Sequence, residues 1–124
     1  MFTCFLIFIA GGIGSLCRYF VSFFVGSFAK TSFPLGTLSV NLIGSFIMGM
    51  CFAFFEHFMM APEVKLTITV GFLGGFTTFS TYALETTNLL RDKEYRIFIY
   101  NILISNVFGL FCVILGMGLI KLIL

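Results

Sequence analysis

Four long apolar stretches, separated only by short polar turns, constrain this chain more than any other feature of its sequence. They cover residues 3–26, 35–55, 64–90 and 97–123. A bilayer core of roughly 30 Å takes about 20 apolar residues per helix, so each stretch is long enough to cross it. Only 10% of the 124 residues are charged, against about 25% in an average protein. We therefore predict an all-α integral membrane protein, a single domain of four transmembrane helices over residues 1–124.

The turns between the stretches are short, which predicts that consecutive helices are antiparallel neighbours. Four spans place both termini and the second turn on one side of the bilayer and the other two turns on the opposite side. With the N-terminal amine counted and Arg18 left out as too deep, the positive charges of the two sides then differ by about one, a weak positive-inside signal. A chain that inserts in both orientations would show this balance, and so would an ordinary chain with a weak bias.

Composition and motif content exclude several classes of function. The net charge of +2 gives no basis for nucleic-acid binding. The four cysteines lie inside apolar stretches without metal-ligand spacing, which is typical of small buried hydrophobic residues. The sequence contains no nucleophile–base pair and no phosphate-binding loop, so we do not expect an enzyme.

The third stretch departs from an ordinary membrane helix at residues 71–82. Its adjacent glycines Gly74 and Gly75 are expected to disfavour a continuous helix, and four hydroxyl residues follow within two turns. Non-helical backbone at membrane depth survives only when it is buried in protein or lines a cavity, and broken helices there expose carbonyl and amide groups that bind ions. We predict a break in mid-membrane, although glycine and threonine would also suit a close helix crossing.

Two other stretches carry small and polar residues at helical spacing. The second stretch has Thr37, Asn41, Ser45 and Gly49, and the fourth has Asn101, Ser105 and Gly109 with Asn106 adjacent. Such stripes suit either close helix packing or a polar lining.

Two charged residues and a row of aromatic rings complete the set of candidates. Arg18, two turns before the end of the first stretch, could extend to the interface or draw anions into a water-filled vestibule. Glu85 is the only acid inside a span and is either functional or a structural hydrogen-bonding group. Phe76, Phe79 and Tyr82 recur at i, i+3 and i+6, and the edge of such a ring is partly positive, so it can face an anion.

Taken together, these residues indicate a pore or transporter for a small ion. Uncharged hydroxyl and amide donors can replace the hydration shell of a small anion, whereas carbonyls at a helix break suit a monovalent cation. The residues favour an anion without excluding a cation. Four helices alone do not easily enclose such a path while hiding polar stripes from lipid, so we expect an oligomer.

Three motifs in order resemble the Fluc family of fluoride channels over essentially the full chain. They are Gly11-Gly12-Ile13-Gly14 leading to Arg18-Tyr19, the segment GTLSVNLIGSF at 36–46, and GFLGGFTTFSTY at 71–82. The resemblance implies a passive, fluoride-selective channel that exports toxic fluoride across the inner (plasma) membrane. It further implies an antiparallel, dual-topology homodimer with two pores and a structural sodium ion (Na+) at its centre.

The resemblance also implies roles for particular residues. Main-chain carbonyls of Gly74 and Thr77 would hold the sodium ion, and Phe79 and Tyr82 would be the paired pore rings. Tyr82 is a departure, because phenylalanine is usual there and a phenol can donate a hydrogen bond. The remaining pore assignments are Asn41, Thr37, Ser80, Thr81 and either Ser105 or Asn106, with Glu85 as a pore-associated acid and Arg18 in the vestibule.

Two other classes of membrane protein compete with this interpretation. A small multidrug-resistance transporter would need a buried glutamate in its first span, where this chain has Arg18 and no acid. A non-conducting assembly subunit would account for packing glycines but not for a break surrounded by hydroxyl groups.

Overall fold

The computed structural model describes all 124 residues, and every regular element in it is helical. The helices are α1 (Phe2–Phe28), α2 (Leu35–His57), α3 (residues 62–76), α4 (Phe79–Arg91) and α5 (Tyr95–Ile123). Three of them, α1, α2 and α5, are long and apolar enough to cross a membrane, with mean hydropathies of 1.8, 1.9 and 2.3. The all-α class is therefore confirmed, with three uninterrupted helices of membrane-spanning length.

The predicted third span consists of two helical pieces, α3 and α4, instead of one continuous helix. The chain leaves helical conformation at Thr77 (φ −90°, ψ 160°) and Thr78 (φ −151°, ψ 120°), which are both extended. The expectation that Gly74 and Gly75 would disfavour helix was wrong, since both lie in the last helical turn of α3. The break comes two residues later, at the paired threonines.

Within α3, a π-helical stretch from Thr67 to Leu73 separates two short α-helical pieces, Pro62–Leu66 and Gly74–Phe76. The wider turn is visible at Gly74, whose N–H reaches the carbonyl of Thr69 five residues back. Such stretches often occur at functional sites. No pattern in residues 67–73 predicted this π-helical stretch.

Glycines bring the helix backbones into direct contact, which explains why Gly75 remains helical. A Cβ on Gly75 would overlap the carbonyl of Gly11, and one on Gly14 would overlap the carbonyl of Phe72. These contacts pack α3 against α1. The second crossing, between α2 and α5, is built in the same way: a Cβ on Gly49 would meet Val113, and one on Gly116 would meet Phe46. Small residues permit this close approach between membrane helices.

Little of the chain is buried by its own fold. Only 15 of the 124 residues are buried, and large apolar side chains cover most of the outside. That surface suits a lipid environment. Three polar side chains near the start of α4, Ser80, Thr81 and Asn106, are also exposed. A polar patch on a surface of this kind requires water or another protein against it.

Candidate ion site at the helix break

The side chain of Asn41, on α2, bonds to the non-helical backbone at the break. Its Nδ2 donates to the carbonyl oxygen of Thr78 at 2.9 Å, and its Oδ1 accepts from the N–H of Thr78 at 2.8 Å. The amide thus satisfies both backbone groups of an extended residue, which would be costly to leave unpaired in an apolar setting. Gly44, one turn later, lets α2 come this close, because a Cβ there would overlap the Thr77 methyl group.

Thr78 also begins the second helical piece. Its Oγ1 accepts from the N–H of Thr81 at 3.2 Å, the bond of a helix N-cap. The same hydroxyl donates to Oγ1 of Thr81 at 3.1 Å and lies 3.3 Å from Oγ of Ser80. Since the Thr81 hydroxyl is the acceptor in that bond, its own proton remains available to a group outside the chain.

Arg18 contacts the break from α1. Its Nη1 donates to the carbonyl oxygen of Thr77 at 3.2 Å, in a partly buried position. The guanidinium therefore lies against the broken backbone and does not extend along α1 towards the interface. Its role in a vestibule stays a prediction.

The carbonyls expected to hold sodium can be judged by their surroundings. Gly74 is exposed, and its usual helical partner, the N–H of Thr78, donates to Asn41 instead, so the Gly74 carbonyl is released from that bond. The Thr77 carbonyl accepts one bond from Arg18 and keeps a second lone pair. Two carbonyl oxygens fit an alkali cation in kind but are too few to replace its hydration shell. No cluster of three or more His, Cys, Asp or Glu residues offers another metal site.

The three aromatic rings of the motif do not share one face. Phe79 and Tyr82 are neighbours, with centroids 5.6 Å apart and planes at 50°, and Phe79 is 78% exposed. Phe76 is only 5% exposed and stacks on Phe72 at 5.9 Å. The i, i+3, i+6 spacing therefore does not place Phe76 on one helix face with Phe79 and Tyr82. The two extended residues Thr77 and Thr78 interrupt the helix between Phe76 and Phe79.

Polar residues of α5 approach α4 in two separate groups. Ser105 donates to Oδ1 of Asn101 at 3.2 Å, Asn101 donates to Oγ1 of Thr86 at 2.8 Å, and Thr86 donates to the Tyr82 carbonyl at 2.6 Å. Asn101 is 1% exposed, so this chain of bonds lies inside the helix interface. Asn106 is exposed and donates to Oη of Tyr82 at 3.2 Å. Ser105 and Asn106, the two candidates in the fourth span, therefore have different surroundings, and a pore role for either stays a prediction.

Two cavities follow the polar stripe of α2. A cleft of about 480 Å³ has Thr37 and Glu85 in its lining, together with the connection between α1 and α2. Oε2 of Glu85 is buried there without a hydrogen-bond partner. A second cavity of about 300 Å³ lies at the break and is lined by Asn41, Thr77 and Phe79 among others. The predicted pore residues of α2 therefore line cavities, whereas their conduction role stays a prediction.

Sequence analysis missed the central position of Thr78 and the part played by Thr86. Thr78 holds both the Asn41 contacts and the helix cap. A serine or threonine immediately before a helix is a capping signal. Thr78 is such a residue, and it could have predicted that α4 begins at Phe79. Thr86 has no such signal, because its role depends on Asn101 in another helix.

Comparisons with known proteins give one consistent result. A family model described as CrcB-like protein, Camphor Resistance (CrcB), matches residues 5–117. A protein of Citrifermentans bemidjiense is 48% identical over 90% of this chain and 92% of its own length. One of Parabacteroides distasonis is 43% identical over 98% and 94%, and one of Maridesulfovibrio salexigens is 43% identical over 91% and 90%. All three relatives are named fluoride-specific ion channel FluC.

Proposed function

The chain belongs to the CrcB-like protein family, a family of ion channels and not of enzymes, and we propose that it is a passive, fluoride-selective channel through which a cell sheds toxic fluoride. Its helices make it a multi-pass membrane protein, and we place it in the inner (plasma) membrane. The observation that carries the proposal is the polar surface at the start of α4, where uncharged donors are exposed on an otherwise apolar chain.

The chemistry of this surface suits a small anion in transit. Fluoride must exchange its hydration shell for other donors, and a lysine or arginine fixed in the path would hold it too tightly for quick release. Ser80 and Thr81 are both exposed and directly follow the exposed Phe79 in the chain. They stand at the N-terminus of α4, where the helix dipole favours negative charge. The charge of Arg18 is partly engaged by the Thr77 carbonyl.

We propose that two copies assemble as an antiparallel, dual-topology homodimer with two pores. A second copy would cover the exposed polar face of α4, which lipid cannot solvate. The near balance of basic residues on the two sides is compatible with insertion in both orientations. In this arrangement, Thr37, Asn41 and Glu85 would lie along the approach to each pore.

A central sodium ion fits the same assembly. The carbonyls of Gly74 and Thr77 from both copies would supply four oxygens, twice what one chain offers. A bound ion of this kind would stabilise the dimer by neutralising the carbonyl dipoles at its centre. We expect the dimer to withstand higher temperatures in sodium chloride than in N-methylglucamine chloride, measured by size-exclusion chromatography after heating. Equal stability in the two salts would argue against the ion.

The test of the function is ion release from liposomes that contain the purified protein. Vesicles are loaded with fluoride or with chloride, and valinomycin allows potassium to carry the compensating charge. Fast fluoride release without chloride release is the expected result. Equal release of both anions would indicate an unselective pore, and no release of either would contradict the channel proposal and favour a drug transporter or an assembly subunit.

A further inference from the structure

We infer that Tyr82, oriented by Asn106, donates its phenol hydrogen bond to the anion in transit, so that this pore presents an O–H donor where an aromatic ring edge is expected. The inference rests on the proposed function and names an anion-binding residue, Tyr82, and a positioning residue, Asn106. It is carried by the direction of one hydrogen bond between α4 and α5.

The orientation of the Asn106 amide is fixed by its second contact. Its Nδ2 lies 2.7 Å from the carbonyl oxygen of Ile102, one turn earlier in α5. A carbonyl oxygen can only accept, so the atom facing it must be the amide nitrogen. That same nitrogen lies 3.2 Å from Oη of Tyr82. An amide nitrogen has no lone pair to offer, and the phenol oxygen must therefore be the acceptor in this bond.

It follows that the phenol proton of Tyr82 has no partner within the chain. Asn106 makes the only hydrogen bond to Oη of Tyr82. Tyr82 is half-buried and its ring neighbours that of Phe79, and a phenol donor without a partner is costly where water is excluded. An anion would satisfy it with a charge-assisted bond, which is roughly twice as strong as a neutral one.

The bond between Asn106 and Tyr82 is not needed to join α4 to α5. The helices α4 and α5 are already joined by the buried bond from Asn101 to Thr86, one turn along α4 from Tyr82. The contact between Asn106 and Tyr82 is exposed instead, and the ring of Tyr82 neighbours the exposed ring of Phe79. Its position suits a polar pathway better than a second fastening between the helices.

The first experiment compares the fluoride dependence of conductance in planar bilayers. Tyr82→Phe keeps the ring and removes the donor, and Asn106→Leu leaves the donor without its orienting partner. We expect the half-saturating fluoride concentration to rise about tenfold in Tyr82→Phe, the usual scale for losing a bond to a charged group, and by less in Asn106→Leu. Tyr100→Phe is the matched control, because Tyr100 is exposed on α5 and lies outside the site. An unchanged half-saturating concentration in Tyr82→Phe would overturn the inference.

The second experiment observes the phenol directly. The chain has four tyrosines and no tryptophan, so replacing Tyr19, Tyr95 and Tyr100 by phenylalanine leaves Tyr82 as the only phenol. We expect a tyrosine ultraviolet difference spectrum on titration with sodium fluoride, none with sodium chloride, and a weaker one after Asn106→Leu. Absence of any fluoride-specific spectrum in this variant, with fluoride release intact, would contradict donation by Tyr82.

The two proposals fail in different ways. If the wild-type protein releases no fluoride from liposomes, the proposed function fails and this inference with it. If the wild type releases fluoride while Tyr82→Phe matches it in half-saturation and merely loses thermal stability, the pair is a structural fastening and only the inference fails.

Discussion

The helix crossings and the helix break differ in how their backbone is accommodated. The crossings need small residues so that two helices can touch, whereas the break needs polar side chains to bond to non-helical backbone. At the crossings, Gly75 on α3 and Gly116 on α5 bring backbones together without any polar side chain. At the break, the Asn41 side chain and the Thr78 hydroxyl bond to backbone groups that the interrupted helix leaves unpaired. The first half of residues 71–82 therefore packs, and the second half presents donors. We expect substitution of the packed glycines to change mainly the stability of the fold, and substitution of the hydroxyl and amide residues to change mainly the proposed pathway.

The largest expected effect lies on the packing side of this comparison. Gly116→Ala places a methyl group on the Phe46 carbonyl, and overpacking of this kind costs about 1–3 kcal/mol or more. Gly118→Ala is the matched control on the same helix, since a Cβ there meets nothing within 4 Å. We expect Gly116→Ala to lower the thermal midpoint and the yield of monodisperse protein, and Gly118→Ala to preserve both. Similar behaviour of the two variants would remove the distinction between packed and open glycines.

At the break, the largest effect is expected from Asn41→Asp. The substitution replaces the Nδ2 donor to the Thr78 carbonyl and places a like charge near a path for anions. We expect fluoride release to fall on the order of 100-fold, from an unpaired buried carbonyl together with charge repulsion. Asn41→Leu separates the two causes, because it removes the contacts without adding charge. Wild-type release by both variants would remove Asn41 from the pathway.

A smaller effect is expected from Phe79→Ile, which keeps an apolar side chain but removes the ring edge. Phe79 is 78% exposed in the single chain, so its loss should leave the fold intact. We expect fluoride release to fall about fivefold, the scale of an aromatic contact worth about 1 kcal/mol beyond its area. Phe108→Ile, at a 51% exposed ring on α5, is the control. Equal release by wild type and Phe79→Ile would argue against an aromatic role.

The smallest expected effect concerns the cap of α4. Thr78→Ala removes the acceptor of the Thr81 N–H, at a typical cost of about 1 kcal/mol. Thr87→Ala removes a hydroxyl that bonds only to the Ala83 carbonyl in its own helix and should be nearly neutral. Thermal unfolding in detergent measures both. A Thr87→Ala variant as destabilised as Thr78→Ala would show that the cap has no special weight.

The helices could be predicted from the sequence because a membrane imposes a local rule. Every backbone group of a spanning segment must be satisfied within it, so a long apolar stretch is sufficient for α1, α2 and α5. The polar stripe of α2 was equally local, and it correctly directed attention to Asn41. These features depend on the chain near each residue.

The features that escaped prediction depend on partners distant in sequence. Gly75 looked like a helix breaker until α1 was placed against it, and Thr78 gained its importance from Asn41, 37 residues away. Phe76 does not share a helix face with Phe79 because one helix ends at Phe76 and the next begins at Phe79. The bond between Asn106 and Tyr82 spans 24 residues and two helices. The sequence pattern could identify several of these residues as candidates, but it could not predict which residues contact one another.

Selectivity for fluoride can be measured in a single experiment as a reversal potential. The purified protein is placed in a planar bilayer with a fluoride gradient in one direction and a chloride gradient in the other. We expect the current to reverse at the equilibrium potential of fluoride. Reversal at the chloride potential, or midway between the two, would contradict it.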